Sequence, residues 1–288
     1  MYMKNKRKLT PWLYSMPALI LIGMVIVFPI IYTGYISLTN MNLFHWSNYE
    51  FIGLSNYSRA LLKADSGFLG ALFTTLLWTA LNMVIQVVVA YFIALGFQRE
   101  DLKGKRVYKT LLMFPWAMPA YVSILLWRVG IYNTEFGLLN KILVALGFGK
   151  VNFLSTNVPA FLSCMTLNLW MALPFMIMMI DGALSSIDRS YYESAELDGA
   201  GFWSKNNHIT VPAMKGIIAP AVIMTTFTTF KQFDIVYLLT MQKGAYSGAT
   251  LQTVITYAQQ NAFVSNNYGL SSAVSIIIFF LIMVFSLF

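Results

Sequence analysis

Two rows of side chains inside apolar stretches could bind a polar ligand by hydrogen bonding. In each row the residues are spaced i, i+3, i+4 and i+7, which places them on one face of a helix. The first row comprises Asn168, Met171, Ala172 and Phe175, and the second comprises Thr225, Thr228, Thr229 and Gln232.

The second row also has a purely structural interpretation. Its threonine and glutamine side chains can hydrogen bond across packed helices, and threonine can bond to the backbone of its own helix. The spacing alone favours such contacts between helices and leaves ligand binding as the alternative. Pro174, beside the first row, can open the helix backbone locally.

Residues 189–211 interrupt the apolar sequence with a short polar insert. Ser190 and Glu193 have the spacing of a capping box, which predicts the start of a helix. Asp198 and Gly199 predict its end, because glycine readily takes the left-handed conformation that follows many helices. The insert is therefore predicted to be a short helix, a glycine turn and a second short piece that leads into the next apolar stretch.

The adjacent Phe202 and Trp203 bear on the role of this insert. A solvated loop that only joins two spans is one interpretation. Neighbouring aromatic side chains favour instead a surface that meets a partner protein. A position in the lipid interface is a further alternative.

The remaining polar residues predict neither an enzyme nor a metal site. His45 and His208 are isolated, and no Cys, His or carboxylate cluster has the spacing of metal ligands. A phosphate-binding loop of the form GxxxxGK[ST] is absent from the sequence, since Gly104 and Lys105 are followed by Arg106.

Structural roles are predicted for three further residues. Lys231 and Asp234 are three residues apart near the outer end of a span, and we expect a structural ion pair. A contact with a substrate or ion is the alternative. Cys164, the single cysteine, lies in an apolar run and is predicted to be a packed side chain.

The composition predicts that these elements lie in a membrane. Of the 288 residues, 58% are hydrophobic and 10% are charged, with a mean hydropathy of +0.66. Soluble domains have about a quarter of their residues charged. Six stretches are long enough to cross a bilayer as helices, namely 12–38, 68–97, 107–131, 158–184, 213–240 and 268–288.

The positive charges predict the orientation of these spans. Lys and Arg concentrate in alternate connections, which favours their cytoplasmic placement. The segments rich in positive charge are 4–8, 99–109 and 189–215, and the poorer ones are 59–63, 141–150 and 243. Both termini and the insert are therefore predicted to be cytoplasmic, and 40–67 an external loop. Because the charges flank the spans, nucleic acid is not an expected partner of this +8 chain.

The insert resembles the cytoplasmic signature of permease subunits in binding-protein-dependent ABC importers. In that family Glu-Ala-Ala is followed by Gly and then by Ile-x-Leu-Pro. The matching residues here are Glu193, Ala195, Asp198, Gly199, Ala200, Ile209 and Pro212. Ser194 and Val211 are mild departures, and Asn206 stands where the sugar-importer version usually has Phe.

Two other segments resemble the sugar branch of this family. FIGLSNY at 51–57 is similar to its external-loop signature, and FDIVYLLT at 233–240 to the end of its fifth core helix. NLWMALPF at 168–175 is similar to the fourth core helix of the maltose-type permease, the larger member of a heterodimeric pair.

This resemblance implies a fold and a set of partners. The fold is an all-α, multi-pass integral membrane protein of the bacterial inner membrane: one transmembrane domain, 1–288, with the six-helix core of a type I importer. The partners are a second homologous permease, two cytoplasmic nucleotide-binding ATPase subunits, an extracytoplasmic solute-binding protein and membrane lipid. ATP and Mg would be held by the ATPase, and this chain would carry no cofactor.

The resemblance also implies roles for particular residues. Glu193, Ala195, Asp198, Gly199, Ala200, Phe202 and Trp203 would form a coupling helix that docks on the ATPase. The family's sugar-contacting positions fall on both rows described above, although threonine stands where the family has Asn or an aromatic residue.

The implied function is ATP-driven oligosaccharide import by alternating access, with maltodextrin-like solutes expected first. Other oligosaccharides, sugar acids and glycerol-3-phosphate-type solutes remain open. An ATP-independent channel or secondary transporter is the alternative function. A membrane scaffold without transport is a third, although it gives no reason for the insert or for two polar rows.

Overall fold

A computed structural model describes residues 2–63, 67–99, 101–241 and 251–286. Three residues named in the sequence analysis lie outside the described residues. They are Lys243, one of the positive charges compared between connections, and Leu287 and Phe288, at the end of the last apolar stretch. Within the described part the structure is helical, apart from turns and an isolated β-bridge between Thr39 and Phe51. The predicted all-α class is therefore confirmed.

The helices of the first half are α1 (Tyr2–Ile22), α2 (Phe28–Ser37), α3 (Ser55–Leu62), α4 (Phe68–Gln98), α5 (Lys105–Leu112), α6 (Phe114–Ala117), α7 (Ala120–Leu126) and α8 (Leu138–Ala145). Those of the second half are α9 (Asn157–Ser185), α10 (Arg189–Leu197), α11 (Phe202–Lys205), α12 (Val211–Phe230), α13 (Asp234–Val236), α14 (Val254–Phe263) and α15 (Tyr268–Ser286). Turns of π-helix join or extend some of them, at Gly23–Val27, Trp127–Ile131, Asn206–Thr210 and Tyr237–Met241.

Most of the predicted spans appear as long apolar helices. Those long and apolar enough to cross a membrane are Pro11–Ile36, Phe68–Gln98, Asn157–Ser185 and Phe202–Thr240. A bent pair could form one more span, and Tyr268–Val284 is a shorter apolar helix. The count of six crossings and the orientation of the termini stay predictions.

The third apolar stretch is bent, whereas the sequence predicted one span over 107–131. Its two parts, Lys105–Ala117 and Ala120–Ile131, meet at 93°. Met118 between them is extended, with ψ 140°. The residue before a proline is disfavoured in the helical region, so Met118 followed by Pro119 accounts for the bend.

The fifth apolar stretch, within the long segment Phe202–Thr240, is interrupted by a short turn after Phe230, which corrects the predicted helical spacing at its end. α12 ends at Phe230 and α13 begins three residues after Lys231. The Thr229 carbonyl accepts hydrogen bonds from the Gln232 N–H and from the indole N–H of Trp78, each at 3.2 Å. This carbonyl is thus occupied where a continuing helix would use it. Gln232 consequently lies beyond the helix and leaves the predicted face.

The same break removes the predicted ion pair. Lys231 and Asp234 are both exposed and form no ion pair with each other. Because the helix is interrupted between them, they lose the geometry that brings residues three apart together on a helix.

The chain divides into two compact units, and the first comprises Met1–Ala71 and Tyr257–Phe288. In this unit α2 and α3 pack against α15. The Gly269 N–H donates to the Met41 carbonyl at 2.9 Å. The Asn56 side chain donates to the carbonyls of Ser37 and Thr39 at 2.9 and 2.8 Å. Gly269 permits this approach, since a Cβ there would lie 2.3 Å from the Thr39 oxygen.

We expect Gly269→Ala to destabilise this unit by about 1–3 kcal/mol, the usual cost of overpacking. The added methyl group meets backbone, which cannot rotate aside. Thermal unfolding of the purified protein in detergent measures the effect. Gly34→Ala in α2 is the control, because a Cβ there meets nothing within 4 Å. An unchanged unfolding temperature in Gly269→Ala would contradict the packing described.

The described residues of the second unit, Leu72–Thr256, include two large apolar clusters and a small one of Leu154 and Ala160. One joins α4, α9 and α12 through buried side chains that include Met83, Ile177 and Ile218. The other includes Trp78 and Cys164, which is fully buried. The prediction that Cys164 is a packed side chain is therefore confirmed.

Candidate functional site

The polar insert begins with a different cap from the one predicted. Asp188 is extended, and its carboxylate accepts the Ser190 N–H at 2.9 Å. Ser190 is thus the second residue of α10, and the predicted capping box with Glu193 is wrong. Asp188, two residues earlier, has the same ability to accept an N–H. The hydrogen bond from the Ser190 backbone holds the pKa of the Asp188 carboxyl below its usual value.

The insert ends as the sequence predicted. Gly199 has φ +73°, in the left-handed region. Its N–H donates to the Glu196 carbonyl at 3.0 Å, and the Ala200 N–H donates to the Ala195 carbonyl at 2.9 Å. These two bonds form a Schellman motif, which satisfies the last carbonyls of α10. The turn at Gly199 therefore sets the direction in which the chain leaves the helix.

Side-chain contacts hold α10 against the start of the following helix. Lys205 forms an ion pair with Glu196 at 2.7 Å. The hydroxyls of Tyr192 and Thr210 are 3.0 Å apart. Since α11, a π-turn and α12 follow one another without a gap from residue 202, the insert is attached directly to a long apolar helix.

The contacts of Asn206 account for its presence where the sugar-importer pattern usually has Phe. Its side chain is buried, and its amide oxygen accepts a hydrogen bond from the Tyr91 hydroxyl of α4. A phenylalanine at this place could not accept that bond. The second short helix is consequently linked to α4 by a polar contact.

The insert exposes a group of apolar side chains. Leu197 is 91% exposed, and the rings of Phe202 and Trp203 lie 5.3 Å apart at 74°. Tyr191 is exposed as well. Sequence reasoning selected the two aromatic residues but missed Leu197 and Tyr191. In the sequence, both could have been recognised as apolar side chains within an otherwise polar helix.

The other residues assigned to coupling lie within the same insert. Glu193, Asp198 and Gly199 are exposed, whereas Ala195 and Ala200 are half-buried at the Schellman turn. All seven residues lie between 193 and 203 in the sequence, and their role in coupling stays a prediction.

A buried chain of hydrogen bonds joins the two polar rows through α4. The Asn168 amide donates to the Asn82 side-chain oxygen at 2.8 Å. The Asn82 amide donates to the Trp78 carbonyl at 2.8 Å. The Trp78 indole reaches the Thr229 carbonyl, as described above. Asn168 and Thr229 are therefore parts of one internal network.

The residues of the rows differ in their accessibility. Asn168, Thr225 and Thr229 are buried within the chain. Met171, Ala172, Phe175 and Gln232 are half-buried and Thr228 is exposed, so these five residues remain available to a ligand. The Thr228 hydroxyl donates to the Thr225 carbonyl at 2.9 Å, in the manner of threonines that bond to their own helix.

A third polar row, on α4, was missed by sequence reasoning. Thr75, Thr79, Asn82 and Gln86 are all buried. The Gln86 amide donates to the Ala172 carbonyl at 3.0 Å, and its Oε1 has no partner among the described residues. The available signal was a polar residue every three or four positions along an otherwise apolar span.

Trp116 was also missed. Its ring lies 6.4 Å from that of Phe175 and nearly parallel to it, at 17°. The bend at Met118–Pro119 places α6 against α9 and so brings the two rings together. The pair presents partly exposed aromatic surface beside the first polar row.

We expect Asn82→Leu and Asn168→Leu to destabilise the protein by similar amounts. Asn82→Leu leaves the Asn168 amide N–H without its acceptor, and Asn168→Leu leaves the Asn82 side-chain oxygen without its donor. Such bonds between membrane helices contribute about 0.6–1.7 kcal/mol. The double variant should cost less than the sum of the two, which a double-mutant cycle of thermal unfolding measures. Additive effects would contradict a direct bond. A change in solute affinity confined to Asn168→Leu would show a ligand contact instead.

Comparison with known proteins identifies the family. Residues 86–288 match the family described as binding-protein-dependent transport system inner membrane component. The chain belongs to this family. This permease is 32% identical over 276 residues to the trehalose/maltose transport system permease protein MalF of Thermococcus litoralis. The match covers 96% of the permease and 90% of that relative.

Bacillus subtilis provides two further relatives of the permease. The galactooligosaccharides transport system permease protein GanP is 29% identical, with 93% of this chain and 66% of that protein covered. The maltodextrin transport system permease protein MdxF is 27% identical, with 96% and 67% covered. The permease thus spans about two thirds of the length of these two relatives.

A solved structure shares the fold of the permease. A bacterial ABC transporter involved in the import of the acidic polysaccharide alginate superimposes with a TM-score of 0.82. The superposition covers 99% of this chain and 95% of the other, at 21% identity. At this identity the likeness concerns the fold, and it agrees with a helical importer permease.

Proposed function

We propose that this chain is one of two transmembrane subunits of an ATP-driven carbohydrate importer. It would form half of the translocation pathway and receive its solute from an extracytoplasmic binding protein. The second half would come from a homologous permease, so that the two form a heterodimer in the inner membrane. Family membership and the sugar-transport names of the relatives support this proposal.

The exposed apolar surface of the insert is the observation that carries the proposal. Leu197, Phe202 and Trp203 project from a segment that is otherwise polar. An apolar group of this kind on a rigid helix is typical of a docking surface. The ion pair of Glu196 with Lys205 fixes that surface relative to α12. A partner that moves α10 would therefore move the long helices on both sides of it.

The partner at the insert would be a cytoplasmic ATPase, present in two copies. ATP and Mg would be bound by those subunits, since this sequence lacks a phosphate-binding loop. Binding of ATP would close the ATPase pair, move the insert and open the pathway outward. Hydrolysis would restore the inward-facing state.

The solute would be an oligosaccharide held at the polar rows. The half-buried Phe175 and the exposed Trp116 offer aromatic faces to the C–H surface of a sugar ring. Met171 and Thr228 lie on the accessible part of the rows, and Gln232 is half-buried just beyond the end of α12. Asn168, Thr225 and Thr229 would support the site from within the helix packing. Maltodextrin-like solutes are the proposed class.

Reconstitution of the complex tests this function. The chain, expressed with its partners, should co-purify with an ATPase and a second permease. Proteoliposomes should take up oligosaccharide only with ATP and the binding protein present. Uptake by this chain alone, without ATP, would establish the alternative of a channel or secondary transporter.

A further inference from the structure

A buried carboxylate lies near the end of α9, the helix that carries the first polar row and leads into the insert. Asp181 of α9 has a side chain only 7% exposed, and it forms an ion pair with Lys109 of α5. The Gln98 amide donates to the Asp181 carboxylate at 3.0 Å. The Lys109 ammonium also lies over the Phe97 ring, 5.4 Å from its centroid.

Burial makes this pair costly to form and costly to break. Ionisable side chains within spanning segments are rare, and they usually have a functional role with a defined partner. Two charges removed from water need good geometry and additional hydrogen bonds to offset their lost hydration. Here Gln98 and the Phe97 ring supply those additional contacts. Removing one charge alone would leave the other buried and unpaired.

The pair joins three helices at one end of the second unit. Gln98 is the last residue of α4, Lys109 lies in α5, and Asp181 lies one turn before the end of α9. The Gln98 amide also reaches the Ser185 hydroxyl at 3.0 Å. Residues 186–188 then lead directly into α10. A displacement of the insert transmitted along α9 would therefore pass Ser185 and reach Asp181 one turn further along.

On the other side of the pair, α5 leads to the candidate solute site. α5 continues through Met113 into α6, which carries Trp116 against Phe175. The chain bends by 93° between α6 and α7, so in the proposed movement α5 and α6 would shift together relative to α7. Lys109 is the residue that fastens this segment to α9 by charge.

Asp181 also governs the balance of charge on α5. Lys105, Arg106 and Lys109 line a cavity of about 380 Å³ together with Met178 of α9. Asp181 neutralises one of these three cations. Without it, Lys109 would lose the attraction that holds it to α9, and the three like charges on α5 would repel one another without a counter-charge.

We propose that the Asp181–Lys109 pair is the positioning link that carries movement of the insert to α5 and Trp116. Asp181 acts through Lys109 and touches no solute. The inference rests on the proposed function, because it needs a motor at the insert and a solute at the rows. Loss of the pair should leave the ATPase docked at the insert and the solute site intact, while movement of the insert no longer reaches the solute site.

The test measures solute taken up per ATP hydrolysed by the complete importer in proteoliposomes. Asp181→Asn and Lys109→Met should each lower this ratio by about two- to thirtyfold, the range expected for residues that carry coupling. The charge-reversed double variant Asp181→Lys with Lys109→Asp should recover most of the ratio. Lys141→Met, on the exposed surface of α8, is the control for loss of a positive charge.

A double variant without either charge distinguishes a pair that transmits movement from a pair that only stabilises the fold. Asp181→Asn with Lys109→Met removes both charges, so thermal stability and membrane level should return while the ratio stays low. If this variant regains the full ratio, the pair is structural and the inference is overturned. Single variants with an unchanged ratio overturn it too. Absence of ATP-dependent uptake in the unmodified importer would instead refute the proposed function.

Discussion

Gly199→Val is expected to leave the protein in the membrane and to lower transport by about 5- to 30-fold. The left-handed conformation costs an L-residue roughly 1–2 kcal/mol, and Gly199 has φ +73°. A Cβ at Gly199 meets nothing within 4 Å, so the added side chain causes no clash. The strained backbone would instead weaken the two hydrogen bonds of the Schellman turn. We expect the turn to relax and to redirect Phe202 and Trp203 away from the docking surface.

Two matched variants make this prediction specific. Gly199→Asn should retain most of the activity, because asparagine tolerates the left-handed region. Gly201→Ala should be nearly neutral, since Gly201 has an ordinary φ of −72° and open space around it. Uptake and ATPase stimulation are compared at equal membrane levels. Full transport by Gly199→Val would remove the turn from the coupling mechanism.

Phe175→Ala is expected to weaken the apparent affinity for the transported oligosaccharide by about two- to twelvefold. Aromatic contacts contribute about 0.5–1.5 kcal/mol beyond simple burial, and tenfold in affinity corresponds to about 1.4 kcal/mol. The stacked Trp116 loses its neighbour in this variant, so both aromatic faces are affected. The maximal rate should change less than the apparent affinity, because the insert and the Asp181–Lys109 pair are untouched.

Phe175→Tyr is the matched control, since it keeps the ring and should keep the affinity. Trp116→Ala should resemble Phe175→Ala if the two rings act together on the solute. The measurement is initial uptake against solute concentration in proteoliposomes with the binding protein. An equal loss of maximal rate and stability, at constant affinity, would assign the ring pair to helix packing.

The ends of the helices could be predicted from the sequence only in part. The glycine turn at Gly199 could be predicted because a residue with that backbone freedom leaves a local signal. The cap was assigned to Ser190, although Asp188 two residues earlier can make the same bond. The break after Phe230 left no local signal that the prediction used. It involves Trp78, which bonds the Thr229 carbonyl from 151 positions away.

The candidate site shows the same division. Helical spacing placed Asn168 and Phe175 on one face, and this needs no knowledge of neighbouring helices. The spacing does not say what that face meets. Asn82 reaches Asn168 from 86 positions away, and Trp116 reaches Phe175 only because the chain bends at Pro119.

By itself, the sequence determined the membrane environment, the helical class, the polar rows and the position of the insert. These properties depend on hydrophobicity and on the 3.6-residue repeat, which are carried by neighbouring residues. Only the tertiary structure decided which faces meet, where two spans bend or break, and that Asp181 pairs with Lys109, 72 positions earlier. Such pairings depend on how helices far apart in the chain approach one another, and the spacing of residues along one helix does not specify its neighbour.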